Sequence, residues 1–391
     1  MELKEATYKS TEIGLIPEDW SDVRIGEILK IKHGKSQKEV ESSNGAYPIY
    51  GTGGLMGYAT DFLYDKESVL IGRKGTIDKP RYLDTPFWTV DTLFYSEIKE
   101  GVVAKLIYYN FLMIDWYSHN EASGVPSLNG SKIEKIRIPL PPTQEEQQAI
   151  ANALSDVDTL VSKLDKLIAK KKAIKQGAMQ RLLKSPAQGG QRLPDFEGEW
   201  KEVKLGDIGD CIIGLTYSPS NVKDSGTLVL RSSNIQNMRL ALEDNVYVQM
   251  DIPQKLITQV GDILICVRNG SRNLIGKCIR IDERVAGQSF GAFMSIYRTK
   301  YSEYISQAFQ SEIIQKQIEA NLGATINQIT NKTLNSFVIS IPTDEKEIKA
   351  IGSILSDMDK EIEKLEANKS KYLHIKQGMM QELLTGKTRL V

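Results

Sequence analysis

Histidine and cysteine are both scarce: His33, His119 and His374, with Cys211, Cys266 and Cys278, are all the chain holds in 391 residues. Three dispersed imidazoles exclude a clustered metal site or a catalytic histidine pair. An odd, scattered set of cysteines lacks the paired spacing of a zinc site; small apolar core positions in a reducing cytoplasm are the expectation. No run of about 18 apolar residues occurs, so no membrane span is expected, and the charged stretch 1–10 lacks the apolar segment of a secretory leader. Charge of one sign is missing too: 50 basic residues meet 50 acidic ones, so any nucleic-acid role must rest on local distribution and not on a basic surplus. Neither a Walker phosphate loop nor the Asn/Asp-Pro-Pro-aromatic motif of base-modifying enzymes is present. The only double proline, Pro141-Pro142, stands in Leu-Pro-Pro-Thr and reads as a helix entry. The acids in Asp344-Glu345-Lys346 read as complements to a helix dipole. No catalytic constellation survives, and the chain is expected to be non-enzymatic, without a metal or cofactor of its own.

What is present is a duplication. Pro142 to Lys184 aligns without a gap onto Thr343 to Thr385, so Leu154-Ser155-Asp156 matches Leu355-Ser356-Asp357 and Lys175-Gln176-Gly177 matches Lys376-Gln377-Gly378. Each copy reads as one long helix. Ile150, Leu154, Val157, Val161, Leu164, Ile168, Ile174, Met179 and Leu182 recur at three- and four-residue steps, as do Ile348, Ile351, Leu355, Met358, Ile362, Leu365, Tyr372, Ile375 and Met379. Thr143 with Glu146 fits a capping box, and Thr343, Asp344 and Glu345 fill that role in the second copy. Two apolar stripes of this length are expected to bury against each other, the alternative being that each helix docks only on its own head.

The segments ahead of the helices also begin alike: Ile16-Pro17, Trp20, Val23, Gly26 and Ile28 parallel Leu193-Pro194, Trp200, Val203, Gly206 and Ile208. Their interiors diverge. Strand-like runs at 47–50, 68–71, 227–230 and 262–267, with one helical passage each at 102–116 and 301–319, predict two compact α+β heads. The predicted organisation is a first head at 1–141, a spacer helix at 142–184, a flexible linker at 185–192, a second head at 193–341, and a second spacer helix with tail at 342–391.

This layout resembles the specificity subunits of Type I restriction-modification systems. The duplicated Leu-Ser-Asp and Lys-Gln-Gly stretches carry the resemblance, with Ile16-Pro17-Glu18-Asp19-Trp20, Ile138-Pro139-Leu140-Pro141-Pro142, and Gly124 to Asn129 echoed at Gly323 to Gln328. The resemblance implies two target-recognition domains joined by helices that pair as an antiparallel coiled coil, a pseudo-twofold α+β fold. It implies double-stranded DNA with a bipartite site as ligand, two methyltransferase subunits as partners, and restriction/translocase subunits joining them. S-adenosylmethionine, ATP and Mg would sit on those partners, and adenine would be the methylated base.

Under that reading, base edges are met by Arg, Lys, Asn, Gln, Ser and Thr on loops. The first head offers Lys35, Ser36, Arg73, Lys74, Thr76, Lys79, Arg81, Ser127 and Asn129; the alternative for this cluster is a solvated hairpin tip. The second offers Thr216, Tyr217, Arg231, Ser232, Asn234, Arg268, Asn269 and Arg272, with Thr325, Asn327 and Gln328. Arg231 and Asn234 lead the set, and a structural Arg–carboxylate pair is the competing reading for Arg231. About forty helical residues span about 60 Å, enough to set two heads over half-sites about one DNA turn apart. Lys163, Lys166, Lys170, Lys171, Lys172 and Lys175 make the first helix basic late in its course, either a solvated face or a contact to DNA phosphates. A tandem protein-binding adaptor is the alternative from another class, and single-subunit restriction enzymes with similar modules are close relatives of the main reading.

Overall fold

The computed structural model describes residues 7–322 and 327–390, and the chain divides into two compact units, Met1–Asp165 with Ala367–Val391, and Lys166–Glu366. The division falls inside both long helices, so each unit owns one head, one half of its own helix and one half of the other.

In the first unit a four-stranded antiparallel sheet runs in the order Leu29–His33, Leu93–Ile98, Ser68–Gly72, Arg81–Leu83. Every residue of Ser68–Gly72 is buried, which explains why that strand reads as an unbroken apolar run and not as an alternation. Beside it lies a three-stranded sheet of Gly54–Ala59, Tyr47–Gly51 and Trp88–Thr89, the last pair parallel. The second unit repeats the scheme: Asp210–Ile213, Met294–Arg298, Ile263–Cys266, Cys278–Arg280 in the same order, all antiparallel, with Ile263–Cys266 wholly buried. Thr227–Leu230 and Ser289–Phe290 supply the parallel pair. A two-stranded ribbon leads into each helix, Ser21–Arg24 with Arg137–Leu140 and Trp200–Lys204 with Val338–Pro342. Thus heads with divergent sequences share one topology.

The long helices are Gln144–Leu182 and Glu345–Leu383, 39 residues each. Their entries differ from the expected capping boxes. The Glu146 amide donates to Thr143 Oγ1 at 3.2 Å, but the Glu146 carboxylate does not reach back, because Arg389 holds it. In the second copy Asp344 takes the capping role, accepting from the Lys346 amide at 2.8 Å, while the Thr343 hydroxyl donates to the Glu199 carbonyl.

Within each unit the helices pair antiparallel. In the first, Asp158 meets Lys376 at 2.5 Å and Asp165 meets Lys369 at 2.6 Å; in the second, Lys175 meets Asp359 and Lys171 meets Glu361, both at 2.6 Å. Numbers rise on one helix as they fall on the other. Ile150, Leu154, Ile168, Met179, Ile348, Ile351, Leu355 and Ile362 are buried as the stripes predict, whereas in the second copy Met380 is buried in place of the expected Met379, which is half-buried. Ile174 and Ile375 are not: they are 47% and 39% exposed. The next residue in each copy, Lys175 or Lys376, turns inward instead, laying its aliphatic stem in the seam and its amine on a carboxylate of the other helix. The helices also dock on their heads, since Leu355 lies in one core with Tyr304 and Phe309, and Leu154 in one core with Leu106 and Tyr109. The helices therefore pair as expected and dock on their heads as well, so the alternative of docking on the head alone does not hold.

Burial pushes the Cys211 thiol up to about 12, Cys266 to about 11 and Cys278 to about 12. They are inert apolar residues at neutral pH.

Two glycines position the loops that follow. A Cβ on Gly34 would stand 2.1 Å from the Val90 carbonyl oxygen, and one on Gly214 would stand 2.2 Å from that of Gly291. Backbone, unlike a side-chain tip, cannot yield cheaply. Gly34→Ala and Gly214→Ala should each destabilise the affected unit by about 1–3 kcal/mol, measured by urea denaturation; a neutral result would mean the crossing is looser than drawn.

Candidate nucleic-acid interface

Each head gathers its candidate loops at one end of its four-stranded sheet. In the first unit, the Gly34 amide donates to Leu93 O and the Lys35 amide to Thr89 O, so the chain leaves strand Leu29–His33 across segment 89–93. The Arg73 and Lys74 amides both donate to Thr92 O, and the Gly75 amide donates to Pro126 O. Lys74 and Ser127 form an isolated antiparallel bridge. Gly75 adopts φ +90°, a left-handed turn open to glycine, and its Cβ position lies 3.6 Å from Thr52 Oγ1. These hydrogen bonds bring Lys35, Ser36, Arg73, Lys74, Thr76 and Ser127 to one loop cluster. Lys35, Ser36 and Lys74 are exposed, while Arg73, Thr76 and Ser127 are half-buried. Arg73 Nη1 donates to the Asp91 carbonyl at 3.1 Å, which orients the guanidinium. Asn129 is exposed, but its Oδ1 caps the short helix Gly130–Ile133 by accepting from the Ser131 amide and hydroxyl, leaving only the amide nitrogen free to donate.

Lys79 and Arg81 stand apart from that cluster. They line a cleft of about 410 Å³ with Tyr50, Tyr82 and Tyr108. Arg81 Nε is buried without a partner among the described residues. Burial raises the Tyr82 and Tyr108 hydroxyls above their ordinary range, and Tyr82 also donates to Glu67. Lys105, which sequence reading passed over, lies 5.1 Å from the centre of the Tyr82 ring.

The second unit repeats this backbone wiring with other side chains. The Gly214 amide donates to Met294 O and the Leu215 amide to Phe290 O; the Val267 and Arg268 amides share Phe293 O; the Asn269 amide donates to Asn327 O; and Arg268 bridges Gln328. Arg268 therefore occupies the position of Lys74, Gln328 that of Ser127, and Thr216 that of Ser36. Leu128 and Ile329 correspond as well, each donating its amide to the residue before the bridge, Arg73 O or Val267 O. This corrects the sequence echo by two residues: Asn129 corresponds to Thr330, which likewise caps a short helix, and not to Gln328. The displacement of 201 positions that relates the long helices already holds here.

Arg268 is exposed, with its guanidinium 5.1 Å from the centre of the Phe293 ring, and Phe293 is itself 55% exposed. Phe293 escaped the sequence reading, because its place follows from the pairing of its neighbour Met294 with Cys266, residues far apart in the chain. Asn269 donates to Ser232 Oγ at 3.1 Å and so ties two loops together. Asn327 Nδ2 donates to Gly270 O. Arg272 is exposed and touches the Glu319 carbonyl at 3.4 Å. Thr216 is exposed and Tyr217 half-buried against the core. Thr325 lies outside the described residues.

Two leading candidates change role. Asn234 is fully buried, its amide nitrogen donating to Ala241 O, Asp244 O and Asn245 Oδ1, and its oxygen accepting from the Arg231 amide. With every polar atom committed inside the fold, it shapes the loop and presents nothing to a base edge. Arg231 is half-buried and pairs with Asp244 at 2.8 Å, the Arg–carboxylate alternative weighed from sequence. The basic run on the first long helix also divides. Lys171, Lys172 and Lys175 spend their charge on Glu361, Glu366 and Asp359, whereas Lys163, Lys166 and Lys170 remain exposed. Among the described residues no group of three or more His, Cys, Asp or Glu side chains could hold a metal, and no helix is long and apolar enough to cross a membrane.

Comparison with known proteins agrees with this architecture. The family model for the Type I restriction modification DNA specificity domain matches twice, over residues 17–176 and 197–372. The Type I restriction enzyme MjaVIII specificity subunit of Methanocaldococcus jannaschii is 26% identical over 99% of this chain and 97% of its own length. The putative MjaX specificity subunit of that organism is also 26% identical, over 99% and 98%. The crystal structure of the Type I restriction-modification S subunit from M. genitalium superposes with a TM-score of 0.67 at 17% identity, covering 93% of this chain and 96% of that one. A chain from a structure describing assembly and conformational transition of the type I R-M system gives a TM-score of 0.54 at 14% identity, covering 95% and 99%.

Proposed function

Because the chain belongs to the family that carries the Type I restriction-modification DNA specificity domain, we propose that it is the specificity subunit of such a system, a non-catalytic reader of a gapped DNA sequence. One observation carries this reading. Two heads hold their loops with the same backbone hydrogen bonds and fill equivalent positions with different donors and acceptors, Lys74 against Arg268 and Ser127 against Gln328. A common frame with unlike side chains suits two unlike half-sites. Each head reads one half, and the paired helices fix the distance between them. Two methyltransferase subunits dock on the helices, bringing S-adenosylmethionine, and restriction/translocase subunits bring ATP and Mg. The likeness to a chain from an assembled type I system supports association with other subunits. Lys35, Ser36, Arg73, Lys74, Thr76 and Ser127 contact DNA in the first head, with Lys79 and Arg81 toward the phosphates. Thr216, Arg268, Asn269, Arg272, Asn327 and Gln328 do so in the second.

The test is to sequence modified adenines in cells carrying the chain with its methyltransferase, then in cells with the chain deleted. A gapped, asymmetric motif that vanishes on deletion is expected; modification that persists on the same motif would remove the proposal. With net charge zero, the free chain should bind random DNA weakly, with a shallower salt dependence than the assembled methyltransferase.

A further inference from the structure

The two units contain the same polar cluster, built from corresponding residues. In the first, Asp158 of the first long helix accepts from Lys376 of the second at 2.5 Å, and from the Tyr109 hydroxyl of the head at 2.8 Å. In the second, Asp359 of the second long helix accepts from Lys175 of the first at 2.6 and 2.7 Å, and from Gln307 of the head at 2.7 Å. Lys175 also reaches Gln310. Asp158 and Asp359 are repeat equivalents, as are Lys175 and Lys376. Both lysines are mostly buried, with side chains 10% and 15% exposed.

Around these clusters each helix carries acids first and lysines later along its paired face. On the first helix Asp158 and Asp165 precede Lys171, Lys172 and Lys175; on the second Asp359, Glu361 and Glu366 precede Lys369 and Lys376. Laid antiparallel, every one of these acids meets a lysine. Laid parallel, repeat equivalents would face each other, Asp158 against Asp359 and Lys175 against Lys376. An apolar seam with a repeating pattern tolerates sliding, whereas a polar group at one seam position specifies register. We infer that Asp158–Lys376 and Lys175–Asp359 are the register-setting pairs of the spacer. They determine how long an unread gap the chain accepts, and Tyr109 and Gln307 tie each head to that register. This rests on the gapped-site reading above.

The experiment uses the full chain assembled with its methyltransferase subunits, and duplexes in which both half-sites are fixed and the gap varies one base pair at a time. The native complex sets the ratio of methylation at the preferred gap to that at gaps one base pair shorter or longer. Asp158→Lys places two lysines together and should lower that ratio about tenfold, roughly the effect of 1.4 kcal/mol. Adding Lys376→Asp should restore it to within about threefold, since the pair is re-formed with its poles exchanged. Asp158→Asn, which keeps an acceptor for Tyr109, should give an intermediate ratio and serves where the reversal folds poorly. An unchanged ratio in Asp158→Lys or Asp158→Asn, or a double variant no better than Asp158→Lys alone, overturns the inference. If the native complex methylates no gapped duplex, it is the proposed function that fails. The pairs are then judged by unfolding midpoints of the same three variants and the native chain, where absence of restoration in the double variant overturns register-setting on its own.

Discussion

Arg192→Ala should lower the stability of the second unit by about 3–5 kcal/mol, the loss that follows when one partner of a buried ion pair is removed. Glu347 is fully buried, and its Oε2 accepts from Arg192 Nη2 at 2.6 Å while its Oε1 has no partner among the described residues. Without the guanidinium, an uncompensated carboxylate is left inside the entry of the second long helix. Arg192→Lys keeps charge but not the fork, since Arg192 also donates to the Gly198 carbonyl, and should recover only part of the loss. The first unit holds the same device. Arg389 grips buried Glu146 with two nitrogens and Asp19 with two more contacts, which raises its own pKa further and keeps it charged at any working pH. Denaturation of the full chain, followed by probes in each unit, should show Arg192→Ala moving one transition and Arg389→Ala the other. A loss below about 1 kcal/mol in both, the range of an exposed pair, would refute the buried-pair account.

The second large effect concerns recognition. Arg268→Ala should weaken binding of the assembled complex to its specific site by about 5- to 150-fold, corresponding to about 1–3 kcal/mol for one good bidentate contact. Arg268 is exposed, steadied over Phe293, and has no acidic partner among the described residues, so its five donors remain to be used. Arg231, by contrast, is committed to Asp244, and Arg231→Ala should act mainly on stability. The informative measurement compares duplexes altered in one half-site at a time. Arg268→Ala should relax discrimination at one position of the half read by the second head and leave the other half sharply read. An equal loss on random DNA would reassign Arg268 to phosphate contact.

The long helices were legible because duplication and periodicity are local signals that survive divergence elsewhere. The order of strands in each sheet was not, because it is fixed by pairings far apart in sequence, such as Leu29–His33 with Leu93–Ile98. Ile174 and Ile375 looked like seam residues because the stripe was read by apolarity alone. Lys175 and Lys376 displace them because each finds a carboxylate across the seam, a partner that one helix's own pattern does not reveal. Asn234 failed as a reader for a related reason. Loop polarity was visible in sequence, but the carbonyls of Ala241 and Asp244 that take its amide inward were not. Arg192 and Arg389 left a faint trace, each followed by leucine shortly after a long helix.

That placement of the two arginines bears on biosynthesis. Every residue of the second unit, from Lys166 to Glu366, has been made before residue 367 is translated, and its closing arginine precedes its head. The first unit lacks Lys376, Met380, Leu383 and Arg389 until the residues after 366 have been made. The head synthesised first is therefore the one whose unit is completed last, because the cluster around Ile16, Trp20 and Leu154 draws Met380, Leu383 and Leu384 from the second long helix and the residue after it.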